Sequence, residues 1–265
     1  MPKVATFSSS PRRGSVVVLS ASNGSRGLPA LVATVRSLWH YPVELLIAKG
    51  HGRSYGSPSR AFWSNRPPML GGGLLERLDA LPARPTWALL TDIGNDIMYG
   101  ADAPTIAQWV GHAADQLAQR SARLCISLLP RASIAALSPQ RYLQLRNLLF
   151  PRCTLSWDDV QQLVADLNQR LTNLAQVINA HTVEPPASWY GSDPIHHRPA
   201  MQTQAWRTML APLAPRPEAR PGLLRLALAQ RYRFLIGRSF HLHGREYGRE
   251  QPAHVCADGT RIWLY

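Results

Sequence analysis

Lysine is almost missing from this sequence. Only Lys3 and Lys49 among its 29 basic residues are lysine; the rest are arginine. Acidic residues are few too, 16 in all, so the formal charge is +13. Such an excess can attract nucleic acid, anionic lipid or acidic substrates. The arginines are spread along the chain, however, and no dense basic block alternates with aromatics as in a base-stacking platform. No specific nucleic-acid partner is expected. Cysteine is scarce: Cys125, Cys153 and Cys256 are odd in number and far apart, which excludes a disulfide framework and the usual metal spacings. His51, His197 and the His241/His243 pair lack carboxylates or cysteines at ligand spacing, so no metal and no cofactor is expected. No apolar run reaches the length of a membrane span. The early apolar run is also too short for a signal peptide. These absences leave the expectation of a soluble, reduced, cytoplasmic protein.

What is present is enough apolar residue, 45% of 265 positions, for one sizeable core. Residues 1–13 are rich in Ser, Pro and Arg and are expected to form a mobile tail. Val16 to Leu19 is a β-branched and aliphatic run of the kind that forms a buried parallel strand. It stops at Ser20-Ala21-Ser22-Asn23-Gly24, and helical periodicity begins at Leu28 with Pro29 in its first turn. A second strand, Val43–Ala48, ends in the glycine-rich stretch 50–56. That stretch lacks the lysine of a phosphate-binding loop, but its glycines let backbone N–H groups approach a ligand. Residues 57–72 are expected as loop and 73–81 as a short helix. A third strand covers 86–91, followed by Asp92-Ile93-Gly94-Asn95-Asp96. Then come a helix at 104–120, a strand at 123–129 and a helix at 138–149. Ser156 and Asp159 form a capping-box pattern opening a long helix to about 180. A short apolar piece at Thr182-Val183 precedes Asp193-Pro194-Ile195-His196. Helices are expected at 200–212 and 222–235, separated by a Pro/Arg-rich linker, and a β-hairpin turning at Asp258-Gly259 ends the chain. Strands alternating with helices predict a parallel sheet covered on both faces, in the order 2-1-3-4-5. The expected units are the tail 1–13, a main domain 14–212 and a C-terminal helical and hairpin extension 213–265.

Ser22, Gly52, Asn95 and the Asp193/His196 pair all fall at or beyond C-terminal strand ends, where open α/β sheets place their sites. Acyl transfer needs a nucleophile, a base, an orienter for the base and donors for an oxyanion. Ser22, His196 and Asp193 fill the first three roles. The Ser22 and Gly52 N–H groups and the Asn95 amide fill the last. Tyr55, Trp189 and Tyr190 border the expected cleft as candidate substrate-binding residues. Each residue also has a plainer reading: Ser22 as helix cap, Gly52 and Asn95 as turn residues, Asp193-Pro194 as a turn start.

Taken together these blocks resemble the SGNH (GDSL-type) hydrolases. The Gly-Asp-Ser block corresponds to Ser20-Ala21-Ser22, the glycine block to Gly52-Arg53-Ser54, the Gly-x-Asn-Asp block to residues 93–96, and the Asp-x-x-His block to Asp193-Pro194-Ile195-His196. The likeness covers about residues 15–200. It implies a three-layer α/β/α, flavodoxin-like fold and a serine esterase acting on small ester or acyl groups, carbohydrate O-acetyl among them. Two departures mark a diverged subfamily: the first block keeps only its serine, and the glycine of the third is displaced by one position. Three other readings compete. The same groups could transfer an acyl group to a sugar hydroxyl. A degenerate relative could bind a glycan or anionic ligand without turnover. The near match to Gly-x-Ser-x-Gly at 20–24 suggests an α/β-hydrolase, but that elbow needs several strands before it.

Overall fold

A computed structural model describes residues 14–61, 64–120, 122–242 and 245–265. The expected tail, 1–13, lies outside them. Five parallel strands form the centre: β1 (Gly14–Leu19), β2 (Val43–Ala48), β3 (Thr86–Leu90), β4 (Ala122–Ser127) and β5 (His181–Val183). They lie in the order 2-1-3-4-5. β1 sits between β2 and β3, with Val16 beside Leu45 on one side and Trp87 on the other. The chain's last stretch extends the sheet. β7 (Arg261–Leu264) pairs in parallel with β2, and β6 (His254–Val255) pairs antiparallel with β7. The expected terminal hairpin therefore exists, and its second strand is part of the main sheet.

The strand pattern explains the three layers. Successive side chains point to opposite faces. Val17 and Leu19 join one buried cluster, with helices α3 (Leu74–Ala80), α5 (Ala103–Ala118) and α8 (Trp157–Val177). Val16 and Val18 join the other, with α2 (Leu28–Leu38), α9 (Gln202–Leu210) and α10 (Leu223–Ala229). Strands buried on both faces read as continuous apolar runs rather than alternations, which is why β1 and β2 are visible in the sequence. The capping box on α8 forms: Asp159 N–H donates to Ser156 Oγ at 3.1 Å, and Ser156 N–H to the Asp159 carboxylate at 2.8 Å.

Glu44 fastens the C-terminal strand. It is 1% exposed. It accepts from Arg261 on β7, from Arg84 at 3.0 Å and from Trp263 Nε1 at 2.9 Å. Burial would raise its pKa; the Arg261 and Trp263 hydrogen bonds and the charges of Arg261 and Arg84 outweigh that and hold it below its ordinary value.

Two expectations need correction. The stretch 57–72 is not all loop; Ser59–Ala61 and Ser64–Arg66 pair as a small antiparallel ribbon. The helix expected over 222–235 ends at Ala229 and tightens into a 3-10 segment at Gln230–Phe234. A second ribbon, Ser239–Leu242 with Arg245–Gly248, has no counterpart in the sequence reading.

Candidate active site

Ser22 opens a one-turn helix, α1 (Ser22–Arg26), directly after β1. Its hydroxyl is 2.9 Å from His196 Nε2, and His196 Nδ1 is 2.5 Å from Asp193 Oδ2. Asp193 also shapes its own loop, because its other oxygen accepts from the Ile195 and His196 N–H groups at 3.1 and 3.3 Å. Such an Asx turn is what an Asp-Pro start favours. Burial pushes Asp193 upward in pKa; the His196 hydrogen bond and charge, with the two backbone donors, outweigh it and leave the carboxyl below its ordinary value. An ionised carboxylate beside Nδ1 holds the imidazole as the tautomer with Nε2 free to accept a proton. The geometry therefore permits transfer of the Ser22 proton to His196.

Asn95 begins a short helix, α4 (Asn95–Met98), at the end of β3, and its amide donates one N–H to the Arg53 carbonyl at 3.1 Å. Among the described residues that amide makes no second donation. Gly52 sits in the next loop at φ +63°, in the left-handed region where glycine is unstrained. Tyr99 fixes that loop by donating to the Gly52 carbonyl at 2.7 Å. Among the described residues neither the Ser22 nor the Gly52 N–H is spent on a backbone acceptor. Asn95 lines the same cavity as Ser22, and the Ser22 and Gly52 N–H groups remain candidate donors.

Asp92 was not singled out from sequence, yet it organises the turn. It lies at φ 59°, a conformation that aspartate tolerates better than most residues. One carboxylate oxygen accepts from Ser20 Oγ and the Ala21 N–H, both at 2.8 Å, and from the Asn23 N–H at 3.0 Å. The other accepts from the Asn23 amide at 2.7 Å. Ser20 in turn accepts from the Gly24 N–H at 2.9 Å, and a Cβ on Gly24 would lie 2.9 Å from that hydroxyl. The departure Ser20 thus has a structural use, its hydroxyl joining the Ala21 and Asn23 N–H groups on the Asp92 carboxylate. Asn23 was likewise missed. Its amide donates to the Ile195 carbonyl and its oxygen accepts from the His197 N–H, each at 2.9 Å. It ties the loop on either side of His196 to the Ser22 turn. The one signal available was position: polar residues beside Ser22 and at the end of the neighbouring strand.

The three candidate substrate-binding aromatics part company. Tyr190 borders the cavity beside Ser22. Tyr55 does not line it: it is buried, and its hydroxyl donates to the Thr91 carbonyl at 2.9 Å. Trp189 packs in the interior against the His197 ring, which Trp206 also flanks. Both were misread because they border the cleft in sequence while their side chains point into the core. Burial pushes His197 down to about 4, so it stays neutral inside this aromatic cage. Among the described residues no group of three His, Cys, Asp or Glu is arranged to hold a metal ion. His243 and the His241 side chain lie outside what is described. No described helix is long and apolar enough to cross a membrane.

The cavity beside Ser22 has a volume of about 110 Å³. Its lining includes Ser22, Asn95, Ile93 and Leu129, Val160 and Val164 on α8, and Tyr142, Leu145 and Leu149 on α7 (Pro139–Leu149).

No family model and no curated protein matches the sequence. Solved structures do match the fold. An aryl esterase from M. smegmatis superposes with a TM-score of 0.51 at 13% identity, covering 85% of this chain and 100% of that one. A carbohydrate acetylesterase, Est24 from Sinorhizobium meliloti, gives a TM-score of 0.50 at 12% identity, covering 84% and 99%. The chain has the fold of the GDSL/SGNH esterases. At this identity the likeness shows the architecture.

Proposed function

We propose that this protein is an SGNH-type serine hydrolase that cleaves a carboxylic ester. Ser22 Oγ attacks the ester carbonyl while His196 Nε2 takes its proton. Asp193 keeps the imidazole oriented and stabilises the imidazolium that forms. The negative charge developing on the carbonyl oxygen is met by the Ser22 and Gly52 N–H groups and the second amide N–H of Asn95. The tetrahedral intermediate collapses, the C–O bond to the alcohol breaks, and His196 returns the proton to the departing oxygen. Water, deprotonated by His196, then attacks the Ser22 ester; its C–O bond breaks, Ser22 regains a proton and the acid leaves.

The observation carrying this reading is the unbroken chain of hydrogen bonds from Asp193 through His196 to Ser22, spanning 174 residues of sequence. Plain turn and capping roles do not require these three side chains to meet end to end. The test is turnover of phenyl acetate. Wild-type protein is expected to hydrolyse it, and Ser22→Ala to lose at least about 1000-fold in kcat with an unchanged fold by circular dichroism. Equal turnover by the two proteins would refute the proposal.

A further inference from the structure

We infer that the acyl group of the substrate is a compact apolar chain of about four to eight carbons, held in the cavity under α7; this rests on the hydrolase reading above. It departs from the small-acyl expectation. A cavity of about 110 Å³ is somewhat smaller than the ~150 Å³ apolar cavity that accepts benzene. Ser22 lines it, so an acyl carbonyl held at Ser22 has this space beside it for its chain.

The chemistry of the walls argues for hydrocarbon rather than sugar. Ile93, Leu129, Ile134, Val160 and Val164 are apolar and buried. The strand end at Leu129 would normally bring polar backbone atoms into such a space. Here Asn168 on α8 takes both: it accepts from the Leu129 N–H at 2.8 Å and donates to the Leu129 carbonyl at 3.0 Å. Along these apolar residues a hydroxyl-rich ligand finds no side-chain partner, and the Tyr142 and Arg146 heads that share the lining are turned to the Leu155 carbonyl. The roof is fastened as well. Tyr142 Oη and the Arg146 guanidinium on α7 each donate to the Leu155 carbonyl at 2.9 Å, which holds the helix over the space. A fixed apolar pocket gains affinity with each methylene it buries, about four-fold apiece.

The order of events assigns the pocket to the acyl side. The alcohol must leave before water attacks, so it needs an exit. The acyl group stays bonded to Ser22 through the second half of the reaction and can occupy the pocket throughout.

The experiment is a chain-length series of p-nitrophenyl esters from acetyl to dodecanoyl, beside acetates of alcohols of growing length. The expected kcat/KM peaks between about four and eight acyl carbons, at least about tenfold above acetyl, with little dependence on the alcohol. Val164→Phe, which adds bulk to the cavity wall, is expected to lower the hexanoyl-to-acetyl ratio of kcat/KM at least about tenfold. A calorimetric arm reads the pocket without turnover: Ser22→Ala should bind hexanoate at least about tenfold more tightly than acetate. Ser22-dependent acetate hydrolysis with a flat acyl series and no hexanoate preference would overturn the pocket and leave the hydrolase reading standing. An optimum found on the alcohol series would overturn the acyl assignment. If no ester turns over, the hydrolase reading falls, and a hexanoate preference in Ser22→Ala then supports the cavity on its own.

Discussion

Asn23 joins the two halves of the site, so its removal tests whether the site is built as described. Its side chain makes three hydrogen bonds: to the Asp92 carboxylate at 2.7 Å, to the Ile195 carbonyl at 2.9 Å and from the His197 N–H at 2.9 Å. Asn23→Ala deletes all three and leaves each partner without that contact. A bond to a charged group is worth about 1.5–3 kcal/mol and a neutral one about 1 kcal/mol. The sum is about 3–5 kcal/mol, and water reaching the vacated space brings it towards 3. For a chain of this size that corresponds to a Tm lower by roughly 6–12 °C. The effect on rate comes through His196. The loop carrying it loses both anchors flanking the imidazole, and a displacement of about 1 Å costs on the order of 100-fold in turnover. Asn23→Asp should do at least as much harm, because it sets a carboxylate against Asp92. Thermal unfolding and kcat for phenyl acetate are the two assays. An Asn23→Ala protein with wild-type Tm and wild-type kcat would refute the reasoning.

Two other substitutions probe separate parts of the account. Asn95→Ala removes one candidate oxyanion donor and is expected to lower kcat by about 100- to 1000-fold while weakening substrate binding much less, since a ground-state carbonyl carries little charge; steady-state kinetics would separate the two, and an unchanged kcat would make Asn95 a turn residue. Glu44→Gln strips a buried charge from Arg261 and Arg84 and is expected to destabilise the fold by about 2–3 kcal/mol in denaturant titrations. Its pH dependence has a definite sign. The folded pKa of Glu44 lies below its ordinary value, so its stabilisation is full above the unfolded pKa near 4.5 and is lost as pH falls through the lower folded value. Glu44→Gln should therefore flatten the acid limb of the stability curve; an acid limb identical to wild type would contradict this.

The architecture was legible because its signals are local. Buried parallel strands need continuous apolar runs, and β1 and β2 supply them. The capping box at Ser156 fixes the start of α8 by chemistry within four residues. The candidate reacting groups were legible for a similar reason: Ser22, Gly52, Asn95 and the Asp193/His196 pair are each marked by a short block at a strand end. What escaped depends on contacts across long stretches of sequence. Asp92 is one aspartate in a turn until β3 is laid beside β1, and only then does its carboxylate meet Ser20 and Ala21. Tyr55 and Trp189 sit beside the cleft along the chain, and their inward direction is set by packing. The cavity wall draws on the loop after β3, on α4, β4 and α6 to α8 (α6, Arg131–Ala135), so no single window of sequence contains it. The fate of the C-terminal hairpin was hidden for the same reason, because its seat depends on Glu44 more than 200 residues earlier.

In the proposed mechanism Ser22 is a nucleophile activated by His196. Labelling with a fluorophosphonate, followed by peptide mapping of the modified residue, tests it most directly. The expected result is a single adduct on Ser22, no adduct in Ser22→Ala, and labelling slowed by at least about 1000-fold in His196→Ala. An adduct on Ser20 or Ser25, or labelling that persists in Ser22→Ala, would contradict it.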